Sequence, residues 1–128
     1  MEFSRIQHGS LVVQDLQRAA AFYREVLGLQ EIAIPTTFVS AGLQVRWFQI
    51  GTQQIHLLQN SQPNQDSPRH IALQVDDVQA ARVNLRAKSL QLDEDIPIPG
   101  ADRFFITDPD GNRLEIIEWK QEYVAIPV

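Results

Sequence analysis

The sequence predicts an α+β fold built from two modules, each with the element order β-α-β-β-β. Two observations carry this prediction. The chain matches itself at an offset of 62 residues, where 7 of 20 aligned residues are identical. Each half also begins with a strand-like stretch, continues with apolar residues at helical spacing and returns to strand-like stretches. A solenoid needs about three repeats or more, so two copies indicate a duplicated module.

The matching segments begin at His8 and His70 and read HGSLVVQDLQRAAAFYREVL and HIALQVDDVQAARVNLRAKS. The matches fall at the same place in each half and cover strand and helix positions alike. The identical pairs are His8/His70, Leu11/Leu73, Val13/Val75, Asp15/Asp77, Gln17/Gln79, Ala19/Ala81 and Arg24/Arg86.

The first module opens with a strand predicted over residues 6–13, which are rich in Val, Leu and Ile. Asp15 stands where a helix N-cap belongs, because a short carboxylate can accept from the free backbone N–H groups. Gly28 supplies a C-terminal stop for that helix. Its apolar positions are Leu16, Ala19, Tyr23 and Leu27. Three further strands are predicted at about 31–34, 43–50 and 53–59, with a turn at Gly51-Thr52.

The second module repeats this plan, with a strand over 70–75 and an N-cap at Asp77. Val78, Ala81 and Leu85 are the helical counterparts of the first module's apolar positions. The remaining strands are predicted at about 91–95, 102–107 and 112–118, with a tight turn at Asp108-Pro109-Asp110-Gly111.

The polar, proline-bearing stretch NSQPNQDSP (60–68) marks the boundary between the modules. We therefore expect a single domain over residues 1–128, with module one at about 3–60 and module two at about 69–120.

Composition excludes several classes of protein. The net charge is −5, and no cluster of Lys and Arg suggests a nucleic-acid partner. No segment has the apolar length that a membrane span needs, and the amino terminus lacks the apolar core of a signal peptide. Without cysteine there is no disulfide or thiolate chemistry. We therefore expect a cytoplasmic protein that acts on a small molecule, with no membrane or nucleic-acid partner.

The chain has three histidines, His8, His56 and His70, and all of them lie in predicted strands. Because side chains alternate along a strand, each histidine is expected on the face opposite its fully aliphatic, helix-packed neighbours. Glu115 is an acid in an apolar strand and is expected on the same kind of face. A carboxylate buried there is costly without a cation or hydrogen-bond donors.

Three imidazoles and one carboxylate form a plausible ligand set for Zn²⁺, Ni²⁺, Fe²⁺ or Mn²⁺. The competing interpretation is that the histidines are structural and that Glu115 is solvated or ion-paired. Residue types alone leave both interpretations open. Asp108, Asp110 and Asn112 are expected to serve the turn only.

The start HGSLVVQDLQRAAAFYREVLGL and the end RFFITDPDGNRLEIIEW resemble the vicinal oxygen chelate superfamily. It includes glyoxalase I, fosfomycin-resistance thiol transferases, extradiol dioxygenases, methylmalonyl-CoA epimerase and bleomycin-resistance proteins. The resemblance covers nearly the whole chain. It implies paired βαβββ modules that form a curved mixed sheet, a glyoxalase-like half-barrel, around one divalent metal ion, and it favours a homodimer.

The resemblance also assigns metal ligands. The family's ligand on the first strand falls on His8, its second-module counterpart on His70, and the final-strand acid on Glu115. His56 stands where glyoxalase I has a glutamate and is the implied fourth ligand. Glu115 is then also the implied catalytic base, since it is the only acidic ligand left.

Three functions follow as expectations. The first is a metal-dependent lyase or isomerase of glyoxalase type, acting on a small substrate with two neighbouring oxygens that differs from the substrate of glyoxalase I. The second is a non-heme Fe(II) extradiol-type dioxygenase, which needs open coordination positions. The third is a metal-free binding protein of the bleomycin-resistance kind. Its cleft residues would come from Trp47, Phe48, Phe104, Phe105 and Trp119, although strand aromatics are more often core.

Polar strand residues offer candidate substrate contacts. Arg46, Arg69 and Arg103 are able to meet an anionic substrate, although a surface role for these arginines is the simpler expectation.

Overall fold

A computed structural model describes residues 1–122 and 124–127. The chain divides into two compact units. Unit 1 contains Met1–Ser67 and the turn Asp108–Asn112, and unit 2 contains Pro68–Thr107 and the stretch from Arg113 onward. In the described part of the chain, no helix is long and apolar enough to cross a membrane.

Unit 1 holds a four-stranded mixed sheet with the strand order β1-β4-β3-β2. β1 runs parallel to β4, and the other neighbouring strands are antiparallel. The strands are β1 (His8–Val13), β2 (Gln30–Ile32), β3 (Val45–Ile50) and β4 (Gln53–Gln59). The helices are α1 (Leu16–Ala21), which continues as a wider π-helical stretch over Phe22–Val26, and α2 (Thr36–Ser40).

The core of unit 1 forms where α1 packs against one face of this sheet. The predicted N-cap is confirmed, because the Asp15 carboxylate accepts from the backbone N–H of Arg18 at 3.0 Å. Gly28 ends the helix with a positive φ of 72°, a conformation that glycine adopts at little cost. The buried apolar side chains include Leu11, Val13, Ala19, Ala20, Tyr23, Phe48, Ile55 and Leu57. Their alternation along β1 and β4 leaves His8 and His56 on the other face, as predicted.

Unit 2 holds a three-stranded sheet with the order β5-β7-β6, in which β5 and β7 are parallel. The strands are β5 (His70–Gln74), β6 (Ala101–Thr107) and β7 (Arg113–Trp119), and the helix is α3 (Val78–Ala87). Asp77 caps α3 by accepting from the backbone N–H of Ala80 at 3.0 Å, which confirms the second predicted N-cap. The buried apolar residues are Val78, Leu85, Phe104, Phe105, Ile106, Leu114, Ile116 and Ile117.

The strand predicted at 91–95 is wrong. The structure has only an isolated bridge there, between Asp93 and Phe105. Acidic residues have low strand propensity. In this segment they also serve as side-chain partners, since Glu94 pairs with Arg82 at 2.9 Å and Asp95 accepts from the backbone of Ile96 at 2.7 Å.

The remaining differences are smaller. The short helix α2, which follows Pro35, is absent from the prediction. The predicted strands 31–34 and 43–50 are observed as Gln30–Ile32 and Val45–Ile50.

The turn Asp108–Asn112 forms a hydrogen-bond network within unit 1, which we call the Asp108 network. Asp108 accepts from the Tyr23 hydroxyl at 2.7 Å and from the side chain of Asn112 at 2.9 Å. It also accepts from the backbone N–H groups of Asp110 and Asn112. Burial, reinforced by the charge of Asp108, raises the pKa of Tyr23, so its hydroxyl stays a donor. The prediction that these residues serve only the turn is wrong. Besides the Tyr23 contact of Asp108, Asp110 pairs with Arg18 of α1 at 2.9 Å, and Asn112 donates to the backbone carbonyl of Val12 at 2.9 Å.

Candidate functional site

The first open face is the side of the unit 1 sheet that points away from α1, and we define it by His8, Ser10, Trp47, Gln54 and His56. Strand pairing brings them together, because His8 lies opposite Gln54, and His56 lies between Ser10 and Trp47. A cavity of about 430 Å³ opens on this face, and all five residues contribute to its lining.

Three flat rings are stacked on the first open face. The ring centroids of Trp47 and His56 are 4.0 Å apart, with an angle of 1° between their planes. His8 covers the other side of His56, again at 4.0 Å and at 17°. His56 is therefore the middle ring, and only 7% of it is exposed. Burial, together with a smaller effect of His8, lowers the pKa of His56.

A chain of carboxamides sets the position of the proton on His56. Gln49 donates to the backbone carbonyl of Gly51 at 2.8 Å, and a carbonyl can only accept. The side-chain oxygen of Gln49 therefore faces Gln54, which donates to it at 3.3 Å. The oxygen of Gln54 in turn lies 2.8 Å from His56 Nε2. Nε2 must then carry the hydrogen, which leaves the lone pair of the neutral ring on Nδ1.

His8 is oriented in the opposite sense. Its Nδ1 lies 2.6 Å from the side-chain oxygen of Gln7, so Nδ1 is the donor and the lone pair is on Nε2. A metal ion bound by an imidazole lies in the plane of that ring, about 2.0–2.1 Å from its nitrogen. The planes of His8 and His56 are stacked and nearly parallel, so the two rings do not share a nearby point at which one ion would fit both.

The second open face is the side of the unit 2 sheet that points away from α3, and we define it by His70, Arg103, Phe105, Arg113 and Glu115. Glu115 lies in the middle strand, opposite Ala72 on one side and Phe105 on the other. It is 6% exposed. Its Oε1 accepts from Arg103 Nη1 at 2.6 Å, so the buried carboxylate that the sequence predicted has an arginine as its partner.

His70 and Arg113 flank Phe105 on this face. The His70 ring meets Phe105 edge-on at 5.2 Å, and the Arg113 guanidinium stacks over the same ring at 3.6 Å. His70 Nδ1 lies 3.0 Å from the backbone carbonyl of Pro68. Because that carbonyl can only accept, Nδ1 carries the hydrogen and the lone pair is on Nε2, as in His8.

The predicted site residues are therefore placed in two pairs, His8 with His56 in unit 1 and His70 with Glu115 in unit 2. Among the described residues of either unit, no group of three or more His, Cys, Asp or Glu side chains is arranged to hold a metal ion. Among the arginines considered for substrate binding, Arg46 pairs with Glu31 at 2.6 Å. Arg103 pairs with Glu115 instead.

The sequence named Trp47 among the expected cleft residues, and Trp47 lines the cavity, but the sequence did not predict that Gln49 and Gln54 orient His56. A signal was present, because a two-residue turn at Gly51-Thr52 pairs Ile50 with Gln53 and therefore Trp47 with His56. Phe48 and Phe104 are fully buried core residues, whereas Trp119 is 41% exposed.

Comparison with known proteins identifies the family. The profile of the Glyoxalase/Bleomycin resistance protein/Dioxygenase superfamily matches residues 5–116. The chain belongs to this superfamily. The expected glyoxalase-like α+β fold is confirmed by the solved structure of a glyoxalase family protein from Bacillus anthracis. That structure has a TM-score of 0.86 and 28% identity, over 94% of this chain and 98% of the other.

Two superfamily relatives carry functional names. Lactoylglutathione lyase of Salmonella typhimurium is 31% identical over 131 residues, covering 91% of this chain and 93% of the relative. Human mitochondrial methylmalonyl-CoA epimerase is 30% identical over 108 residues, or 73% of this chain. This chain spans only 60% of the length of the human epimerase.

Proposed function

We propose that this chain is a metal-dependent enzyme of the lyase or isomerase type that acts on a small substrate with two neighbouring oxygens. His8, His70 and Glu115 are the proposed ligands of one divalent ion, Zn²⁺, Ni²⁺, Fe²⁺ or Mn²⁺. The observation that carries the proposal is the contact that each of the two histidines makes through Nδ1. In both, Nδ1 lies at hydrogen-bond distance from an oxygen acceptor, and in the neutral ring this leaves the lone pair on Nε2.

The donor set fits a metal ion in its chemistry. Metal-binding histidines almost always donate their other ring N–H to an oxygen acceptor, which fixes the ring and makes the ligating nitrogen more basic. The Gln7 and Pro68 oxygens meet this requirement for His8 and His70. Glu115 adds a buried carboxylate on the same face as His70.

We propose that His56 lies beside the metal ion and is not one of its ligands. The stack against His8 supports this choice, because nearly parallel rings 4.0 Å apart do not suit a shared ion. His56 then offers Nδ1 as a hydrogen-bond acceptor for a hydroxyl or amide group of the substrate. This role differs from that of the glutamate that the glyoxalase I resemblance places at this position.

In the proposed mechanism, His8, His70 and Glu115 would hold a divalent ion, which would supply Lewis-acid chemistry at the substrate's two oxygens. Glu115 takes a proton from the carbon next to the carbonyl and returns it, as a general base and then a general acid. Trp47 and His8, the outer rings of the stack, line the cavity and exclude water from a bound substrate. The names of the two relatives, an epimerase and a lyase, support this class of reaction.

Exchange of the substrate's α-hydrogen with solvent tests this function. Small 2-hydroxy acids, 2-oxo acids and their thioesters are incubated in D₂O with the protein, stripped of metal or loaded with each of the four ions, and followed by proton NMR. We expect exchange with at least one loaded form and a loss of about 100-fold or more in Glu115→Gln. Glu31→Gln removes a carboxylate that is also paired with arginine and should leave the rate unchanged. Equal exchange rates in Glu115→Gln and the wild type would refute the role of Glu115.

A metal-free binding protein is the second candidate, and the ring stack beside the 430 Å³ cavity favours it. Binding of a planar aromatic ligand that survives exhaustive chelation, without any exchange activity, would support it over the enzyme. Uptake of oxygen by the Fe²⁺-loaded protein with catechols would instead support the extradiol-type dioxygenase function. A homodimer, a cytoplasmic location and a single domain over 1–128 remain predictions, and sedimentation of the purified chain tests the first.

A further inference from the structure

The Arg103–Glu115 ion pair is the feature of the second open face that the proposed function does not use. Arg103 Nη1 and Glu115 Oε1 are 2.6 Å apart. The exposed fractions of the two side chains are only 16% and 8%. Removing two charges from water costs several kcal/mol per ion, so each partner depends on the other. A hydrogen bond from Arg103 Nη1 to one carboxylate oxygen of Glu115, Oε1, joins the two groups.

The other nitrogens of the Arg103 guanidinium, Nη2 and Nε, have fewer hydrogen-bond partners than they could take. Nη2 donates to the backbone carbonyl of Ile96 at 2.8 Å, and the guanidinium lies 5.3 Å from the ring of Phe105. Nε is buried and has no hydrogen-bond partner among the described residues. Glu115 therefore supplies the charge that holds this cation inside the sheet face.

We propose that Arg103 is a positioning residue that competes with the divalent ion for Glu115 and thereby sets the metal affinity of this protein. This inference rests on the proposed function, because it takes Glu115 as a metal ligand. A guanidinium and a divalent ion are both cations, and they repel each other when they share one poorly solvated carboxylate. Metal binding must then move Arg103 away or accept this repulsion, and either event weakens the binding.

Arg113 provides a matched control on the same face. It stacks over Phe105 at 3.6 Å and pairs with Asp95 at 3.3 Å. Its ion pair is with Asp95, whereas Glu115 pairs with Arg103, so removing the charge of Arg113 leaves the Arg103–Glu115 contact in place. Arg113→Met and Arg103→Met therefore delete the same charge from the same face and differ in their connection to the proposed ligand.

The test is calorimetric titration of the metal-stripped protein with Zn²⁺ alone and with Mn²⁺ alone. We expect Arg103→Met to bind metal about tenfold or more tightly than the wild type. Arg103→Lys, which keeps the positive charge, should stay within about threefold of the wild type. Arg113→Met should do the same. Arg103→Gln serves as the neutral variant if Arg103→Met does not fold, which circular dichroism reports.

The outcomes separate this inference from the proposed function. Binding to Arg103→Met that is about tenfold or more tighter than binding to the wild type supports the competition. Equal affinities in Arg103→Met and the wild type overturn it and leave the metal proposal standing. Weaker binding in Arg103→Met also overturns it, because the arginine would then assist the ligand. Failure of all variants to bind either ion overturns both proposals.

Discussion

The two open faces satisfy their polar groups by different means. On the first, His8 and His56 bond to carboxamide oxygens, and His56 stacks between His8 and Trp47. On the second, Arg103 and Arg113 are paired with carboxylates. The first face therefore offers a flat surface and lone pairs in fixed directions, whereas the second offers charge.

The same contrast extends to the interior of each unit. In unit 1, the buried Asp108 is held by four hydrogen-bond donors that are all uncharged. In unit 2, the buried Arg82 is held by Asp102 at 2.7 Å and Glu94 at 2.9 Å. A network of neutral donors depends on geometry, while ion pairs depend also on salt. The two units should thus respond differently to the same perturbations.

The largest expected effect comes from Asp108→Ala. It leaves the Tyr23 hydroxyl and the Asn112 side chain without their acceptor, and two backbone N–H groups lose theirs as well. Each buried unsatisfied group costs about 1–3 kcal/mol, so we expect a loss of about 3 kcal/mol or more in the free energy of unfolding. Urea unfolding measures it, and Asp110→Ala is less informative because it also removes the Arg18 ion pair. A loss below about 1 kcal/mol in the free energy of unfolding would mean that the Asp108 network does not stabilise the fold.

Arg82→Met should cost less, about 1–2 kcal/mol in the free energy of unfolding. Arg82 is 6% exposed, but its partners Asp102 and Glu94 are partly open to water, which tempers the loss. Arg86→Met is the control, since Arg86 is exposed on the same helix. Equal stabilities of the two variants in urea would show that the buried ion pair contributes nothing.

The loss of stability at acid pH is a smaller effect that tests the Arg82–Asp102 ion pair. The hydrogen bond from Arg82 holds the pKa of Asp102 below its ordinary value of 3.8. A depressed pKa stabilises the folded state above the ordinary value, and this contribution is lost as the pH falls toward the folded-state value. Wild-type stability should therefore drop more steeply below about pH 4 than that of Arg82→Met. Parallel acid unfolding curves would contradict this assignment.

The smallest expected energetic effect, below about 1 kcal/mol, belongs to Gln54→Leu, which removes the acceptor of His56. Its informative readout is the position of the ring proton. Long-range proton–nitrogen NMR at pH 8 should show the hydrogen on Nε2 in the wild type and a mixture of tautomers in the variant. Gln7→Leu, which acts on His8 instead, should leave the His56 signals in place. A wild-type His56 with its hydrogen on Nδ1 would contradict the carboxamide chain.

Local signals predicted much of the fold. The N-caps at Asp15 and Asp77 depend on a short carboxylate next to an apolar helix, and both are confirmed. Strand alternation also placed His8, His56 and His70 on the faces opposite the helices. By contrast, the strand predicted at 91–95 contains only one apolar residue, Leu92, and its acidic residues bond to arginines and backbone instead.

The arrangement of the candidate site was harder to predict. Hairpin register could have paired Trp47 with His56 and Phe105 with Glu115. Register does not give side-chain rotamers, however. Whether Glu115 turns toward an arginine, or two imidazoles stack face to face, depends on packing between strands that sequence patterns do not contain.

Metal stoichiometry tests the central claim most directly. The purified protein is loaded with each of Zn²⁺, Ni²⁺, Fe²⁺ and Mn²⁺, freed of excess by gel filtration and assayed by elemental analysis, beside Glu115→Gln and the control Glu31→Gln. We predict about one ion per chain in the wild type and in Glu31→Gln, and a loss of most of it in Glu115→Gln. No retained metal in the wild type, or the same content in Glu115→Gln, would contradict the proposed ligand role of Glu115.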